Sequence, residues 1–140
     1  MKVDQIINAD CLDMLKEMDD DCIDLIVTSP PYAGKRGDTY DTQPIAGYNE
    51  WFLPISAELL RVLKPTGSFV LNIKEPAVNG ERSTYIIELI LEMRRQGWKW
   101  TEEYIWRKTT SFPGHWNNRF RDGWERCLHF TKDKKFTMNQ

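Results

Sequence analysis

Ser29, Pro30, Pro31 and Tyr32 follow one another directly after the apolar run Ile23-Asp24-Leu25-Ile26-Val27 and Thr28. A hydroxyl, a carbonyl that no helix can absorb and an aromatic ring thus fall within four consecutive positions. Two prolines fix their own φ angles, lack N–H donors and push the residue before them out of helical geometry. The carbonyls of such a turn stay free to accept hydrogen bonds from something that enters. Together with the Ser29 hydroxyl they can clamp a flat ring bearing an amine, with Tyr32 to stack on it. In open α/β sheets such chemistry sits just beyond the carboxyl ends of strands. The plain alternative is a structural Pro-Pro turn.

Elements able to hold this turn alternate along the chain. Val3 to Asn8 reads as a strand. Cys11 to Met18 reads as a helix with Leu12, Leu15 and Met18 on one face and Asp10 as its N-cap. Ile23 to Val27 reads as a strand buried on both faces. Residues 34–48 form a polar, glycine-containing loop of the kind that covers sites. Glu50 to Leu63 reads as a helix, with Pro54 in its first turn and Lys64-Pro65-Thr66-Gly67 as its stop. Ser68 to Ile73 is a second buried strand, Thr84 to Arg95 a helix ended by Gly97, and Trp100 to Trp106 and Arg126 to Thr131 two further strands. The order predicts one α/β domain of about five strands, with a mainly parallel sheet and flanking helices.

The 140 residues, 41% hydrophobic and 29% charged, suit a globular domain with a modest core. No apolar run approaches the roughly 18 residues of a membrane helix, and Met1 to Gln5 does not read as a signal peptide. Cys11, Cys22 and Cys127 have no metal-binding spacing and no even pairing, which predicts reduced thiols in a cytoplasmic protein and no metal. The net charge of −2 hides an asymmetry. Residues 1–30 hold eight acids against Lys2 and Lys16, whereas residues 94–135 hold eleven Lys and Arg against five acids. Trp98, Trp100, Trp106, Phe112, Trp116, Phe120 and Trp124 interleave with those cations. Cations for phosphate and rings for bases suit nucleic acid; a solvated helix face and an amphipathic strand would read the same way.

Ordered blocks extend the argument. Asn8-Ala9-Asp10-Cys11-Leu12 precedes Asp24 to Val27 and Thr28-Ser29-Pro30-Pro31-Tyr32. Leu63-Lys64-Pro65-Thr66-Gly67-Ser68-Phe69-Val70 comes next. Then stand Ile105-Trp106-Arg107-Lys108, Phe112-Pro113, Asn118-Arg119-Phe120 and Trp124-Glu125. In residues and order this resembles the permuted, beta-type DNA amino-methyltransferases.

The resemblance implies a partial Rossmann-like methyltransferase fold, a single incomplete catalytic domain over residues 1–140. It implies transfer of a methyl group from S-adenosylmethionine to the exocyclic amine of a flipped base in double-stranded DNA. Ser29, Pro30, Pro31 and Tyr32 would be the catalytic residues, acting by positioning and electrostatics. Asp10, Cys11 and Thr28 would meet the cofactor, although Asp10 is equally placed as a helix cap. Lys35, Arg36, Trp106, Lys108 and Phe112 would face DNA, as would His115, Asn118, Arg119 and Arg121. Family members with Ser at position 29 mostly methylate cytosine N4 and those with Asp mostly adenine N6, which favours cytosine and keeps adenine second.

One departure is large. Such enzymes carry a Phe-x-Gly-x-Gly cofactor loop, and no two of the eight glycines here stand in Gly-x-Gly spacing. The resemblance therefore predicts absent cofactor-loop strands, an unpaired sheet edge and weak cofactor binding by this chain alone. A complementary half, or self-association through that edge, would follow. The alternative is an inactive DNA-binding or protein-interaction module derived from such an enzyme.

Overall fold

The computed structural model describes residues 4–34, 43–110, 120 and 123–138. Helix α1 spans Cys11–Lys16, opened by the Asp10 carboxylate, which accepts the Leu12 and Asp13 N–H groups at 2.9 and 3.2 Å. Strand β1 is Ile23–Thr28 and helix α2 is Tyr48–Val62. Pro54 therefore lies inside α2 rather than in its first turn. The chain passes at Leu63 directly into strand β2, Leu63–Ile73. Strands β3 (Ala77–Val78) and β4 (Glu81–Arg82) form a small hairpin around Asn79 and Gly80, both at positive φ. Helix α3 is Tyr85–Gln96, closed by Gly97 at φ +116°, a conformation that favours glycine. Strands β5 (Lys99–Arg107) and β6 (Trp124–Thr131) complete the described elements.

The sheet order is β1-β2-β6-β5. β1 and β2 are parallel, while β6 is antiparallel to both β2 and β5. The α/β architecture expected from the alternation is present, but the sheet is more mixed than a mainly parallel one. β1, β2 and β5 share one direction, yet only one of the ladders is parallel because the reversed β6 lies between β2 and β5. Lys64 to Gly67 does not simply end α2. The register jumps from Ile23↔Leu63 to Leu25↔Ser68, so this segment bulges within the strand.

One sheet face is covered. Phe69, Leu71 and Ile73 of β2 and Leu128 and Phe130 of β6 are fully buried, in one core cluster with residues of α2 and α3. Their apolar side chains recur every second strand position, so one face faces the helices.

Two strand expectations are corrected. Ile23 to Val27 is not buried on both faces, because β1 is an edge strand and Leu25 and Val27 are 60% and 66% exposed. Residues 4–8 form no strand, and Ile6 is fully exposed. No described strand lies beside β1 on its outer side to give them a ladder. Among the described residues no helix is long and apolar enough to cross a membrane, and no group of His, Cys, Asp and Glu could hold a metal ion.

Candidate active site

Thr28 ends β1, and the Ser29–Tyr32 turn leaves from there. β2 and β5 run in the same direction, so Ile73 and Arg107 end at the same sheet edge; β6 runs the other way and starts there at Trp124. Four strands thus bring the Ser29 turn, Asn72, Lys108 and Glu125 to one edge.

They meet in a polar cluster. The Tyr32 hydroxyl lies 2.8 Å from Asn72 Oδ1 and 2.9 Å from Glu125 Oε2. Ser29 Oγ lies 3.2 Å from the Tyr32 hydroxyl and 3.3 Å from Asn72 Oδ1. Asn72 Nδ2 donates to the Arg126 carbonyl at 3.0 Å, which fixes the amide with its oxygen toward Ser29 and Tyr32. The second oxygen of Glu125 accepts from Lys108 Nζ. Ser29 itself is exposed, Pro30, Pro31 and Tyr32 are half-buried, and Glu125 is 8% exposed.

Electrostatics follow from this placement. Burial, reinforced by the Glu125 hydrogen bond and charge, pushes the Tyr32 phenol up to about 12, so it stays a neutral donor. Burial also pushes Glu125 up, but the hydrogen bonds from Lys108 and Tyr32 and the Lys108 charge outweigh it and hold the carboxyl below its ordinary value. A charged acceptor therefore sits behind the tyrosine at neutral pH.

A second group of charges flanks the cluster around Trp124. Lys74, Arg82 and Arg126 lie over its ring at 5.1, 5.4 and 5.4 Å. Glu75 binds Arg82 and lies 3.6 Å from Arg126, while Arg126 also meets Glu103 at 2.5 Å. These contacts stiffen the start of β6.

Of the expected site residues, the structure joins Ser29 and Tyr32 in one network and keeps Pro30, Pro31 and Thr28 beside them. Asp10 and Cys11 lie at the head of α1 and are not part of that network; the Asp10 carboxylate caps the helix. Partial burial and the Asp10 charge push the Cys11 thiol up, away from a reactive thiolate. Trp106 is 53% exposed near the end of β5. Lys108, expected to face DNA, pairs in this structure with Glu125 and lies 5.3 Å from the Trp106 ring. A nearly buried carboxylate is a stronger partner for it than solvent. Lys35, Arg36, Phe112, His115, Asn118, Arg119 and Arg121 lie outside the described residues.

Asn72 was not among the sequence candidates, and Glu125 was noted only as part of a block. Their contacts with the turn span 43 and 93 residues of chain. The available signal was an amide inside the apolar run Phe69 to Ile73, and an acid at the head of a strand in a basic segment.

The family model described as DNA methylase matches residues 23–140. The Type II methyltransferase M.PvuII of Proteus hauseri is 30% identical over 116 residues, covering 79% of this chain and 34% of that protein. The Type II methyltransferase M.SfiI of Streptomyces fimbriatus is 28% identical, over 94% of this chain and 36% of that protein. Among solved structures, the PvuII DNA methyltransferase (cytosine-N4-specific) superposes with a TM-score of 0.78 at 28% identity, over 91% of this chain and 49% of that one. TTHA0409 of Thermus thermophilus, complexed with S-adenosyl-L-methionine, shares the fold with a TM-score of 0.68 at 22% identity, over 94% and 54%. The chain thus spans about a third of the length of these two curated relatives.

Proposed function

Because the chain belongs to the DNA methylase family, we propose that it is the catalytic-motif half of a beta-type DNA methyltransferase acting on the exocyclic amine of a flipped base. Cytosine N4 is the favoured target and adenine N6 the second. The observation that carries this reading is the exposed Ser29 hydroxyl at the carboxyl end of β1, tied to Tyr32 and backed by β2 and β6. The Ser29 oxygen and the Pro30 carbonyl accept the two N–H bonds of the amine, and the Tyr32 ring stacks on the base. Held so, the amine turns its lone pair outward, and the two oxygens stabilise the positive charge that grows on nitrogen. No strong base is required, since the amine loses its proton after it has become a cation. The Ser at the head of the motif and the similarity to a protein named as cytosine-N4-specific both favour cytosine.

S-adenosylmethionine, when bound, supplies an electrophilic methyl group on sulfonium. The donor set present suits one side of it: the Asp10 carboxylate can accept from hydroxyl or amine protons, with Cys11 and Thr28 beside strand and helix ends. Asp10 already caps α1, and none of the glycines has the Gly-x-Gly spacing of the family's cofactor loop. A complementary half would close the other side. The outer edge of β1, which no strand pairs among the described residues, and the exposed Ile6, Leu25 and Val27 support that part of the reading.

The test is methyl transfer from tritiated S-adenosylmethionine to mixed-sequence double-stranded DNA. It uses the protein co-purified from its own host with whatever chain completes it. Label in N4-methylcytosine is expected after digestion to nucleosides. Label in N6-methyladenine would overturn the choice of base. DNA binding without label in any nucleoside would replace the enzyme with an inactive binding module.

A further inference from the structure

The protons of the polar cluster can be counted. Ser29 and Tyr32 bring one hydroxyl proton each. Among the described residues, the side chains that hydrogen-bond with them from inside the protein are acceptors: Asn72 Oδ1 and the Glu125 carboxylate. The amide cannot flip to present its N–H groups without losing the hydrogen bond from Nδ2 to the Arg126 carbonyl. Glu125 is held charged by Lys108 on its other oxygen.

The charged carboxylate is the strongest acceptor in reach, so Tyr32 sends its proton inward, to Glu125 Oε2 at 2.9 Å or Asn72 Oδ1 at 2.8 Å. It has no proton left for Ser29. The Ser29 proton then goes to the Tyr32 oxygen at 3.2 Å or to Asn72 Oδ1 at 3.3 Å. Both assignments leave only oxygen lone pairs on the outer side of Ser29.

We infer that Asn72 and Glu125 are positioning residues that fix the Ser29 hydroxyl as an acceptor toward the site. A free hydroxyl can donate or accept, and so does not distinguish an amine from a carbonyl at the same place on a base. A hydroxyl whose proton is committed inward behaves like the acceptor-only carboxylate. It meets an exocyclic amine with a hydrogen bond and an exocyclic carbonyl with repulsion. A neutral serine thereby does the accepting that an ionised side chain would otherwise do, with the charge one residue further back on Glu125. Glu125 acts through Tyr32, and Asn72 acts on Ser29 directly.

This inference rests on the methyltransferase reading above, and a double-mutant cycle on the assembled enzyme separates the two. Asn72→Val keeps a strand-compatible side chain and removes the inward acceptor. It is expected to lower kcat by about tenfold to a hundredfold, the size of one or two lost hydrogen bonds, with KM for S-adenosylmethionine unchanged. In the Ser29→Ala background the same change should cost less than about threefold, because the group it orients is gone. Tyr32→Phe, which keeps the ring, is the second variant, and it too should be sub-additive with Ser29→Ala. Independent, multiplying losses for both variants would mean a merely structural role and overturn the inference. So would an unchanged kcat in Asn72→Val. Wild-type enzyme without any transfer would instead refute the functional reading, and this inference with it.

Discussion

Replacing Lys108 by methionine removes the cation facing the one nearly buried carboxylate of the site. Glu125 is 8% exposed, and its two oxygens are shared between Lys108 and Tyr32. Breaking a buried ion pair by deleting one partner costs about 3–5 kcal/mol. Two features reduce that figure. The Lys108 side chain is 37% exposed, so solvent already screens the pair. Tyr32 remains to hydrogen-bond the carboxylate. A charge-linked loss of about 1–2 kcal/mol remains. The contact of Lys108 with the Trp106 ring at 5.3 Å adds about 0.5 kcal/mol that does not depend on pH in this range.

The pH dependence gives the prediction its sign. In the wild type Glu125 titrates below the ordinary carboxyl value of 4.5, so its contribution is present above that value and is lost as pH falls through the folded pKa. Without Lys108 the leading lowering contact is gone, and burial moves the carboxyl upward. Near pH 7 the variant should melt about 4–8 °C lower than wild type, taking about 3 °C per kcal/mol for this size. As pH falls through the folded pKa of Glu125, which lies below 4.5, the gap should shrink toward the ring-contact remainder, because a protonated Glu125 no longer needs a cation. Thermal unfolding of both proteins at pH 7, 5 and 3.5 measures this, and titrations common to both cancel in the difference. A gap that stays constant across that range would refute the view of Glu125 as a charge held by Lys108.

Two further substitutions probe the surroundings. A Cβ at Gly67 would lie 2.7 Å from the Leu63 side chain and 2.8 Å from the Asp24 carbonyl oxygen, so Gly67→Ala should destabilise by about 1–3 kcal/mol; an unchanged urea midpoint would show that the β1–β2 bulge can open freely. Asp10→Asn keeps a good helix cap, so stability should change by less than about 0.5 kcal/mol. If the carboxylate also meets the cofactor, calorimetric affinity for S-adenosylmethionine should fall about tenfold in the assembled protein, and an unchanged affinity would leave Asp10 a cap alone.

The elements legible in the sequence were those with strong local signals. Three helices, the strand before the Pro-Pro turn and the strand Ser68 to Ile73 all fall near their expected places, because apolar spacing and Gly97 mark them. The β3–β4 hairpin was missed although Asn79-Gly80 is a strong hairpin dipeptide. Its strands are two residues each, too short to show any period. The burial of β1 was misread for another reason. An apolar run looks the same whether its second face is covered by the same chain or open, and Leu25 and Val27 are open here. The site divides in the same way: the Ser29–Tyr32 turn is a local pattern, while the partners that aim it are distant in sequence.

Strand direction explains how those distant partners arrive. Had the last strand run parallel to β2, its head would lie at the opposite edge and its carboxyl end would face the Ser29 turn. Because β6 is reversed between β2 and β5, its first residues lie beside the last residues of β2, with Arg126 opposite Ile73 and Cys127 opposite Asn72. Glu125 and Cys127 share a face by the two-residue period, which is also the face of Asn72. The reversal therefore brings a buried acid to the polar edge, where Lys108, at the end of β5, can neutralise it. The same reversal that makes the sheet mixed supplies the charge behind Tyr32, and through it the orientation of the serine that the sequence singled out first.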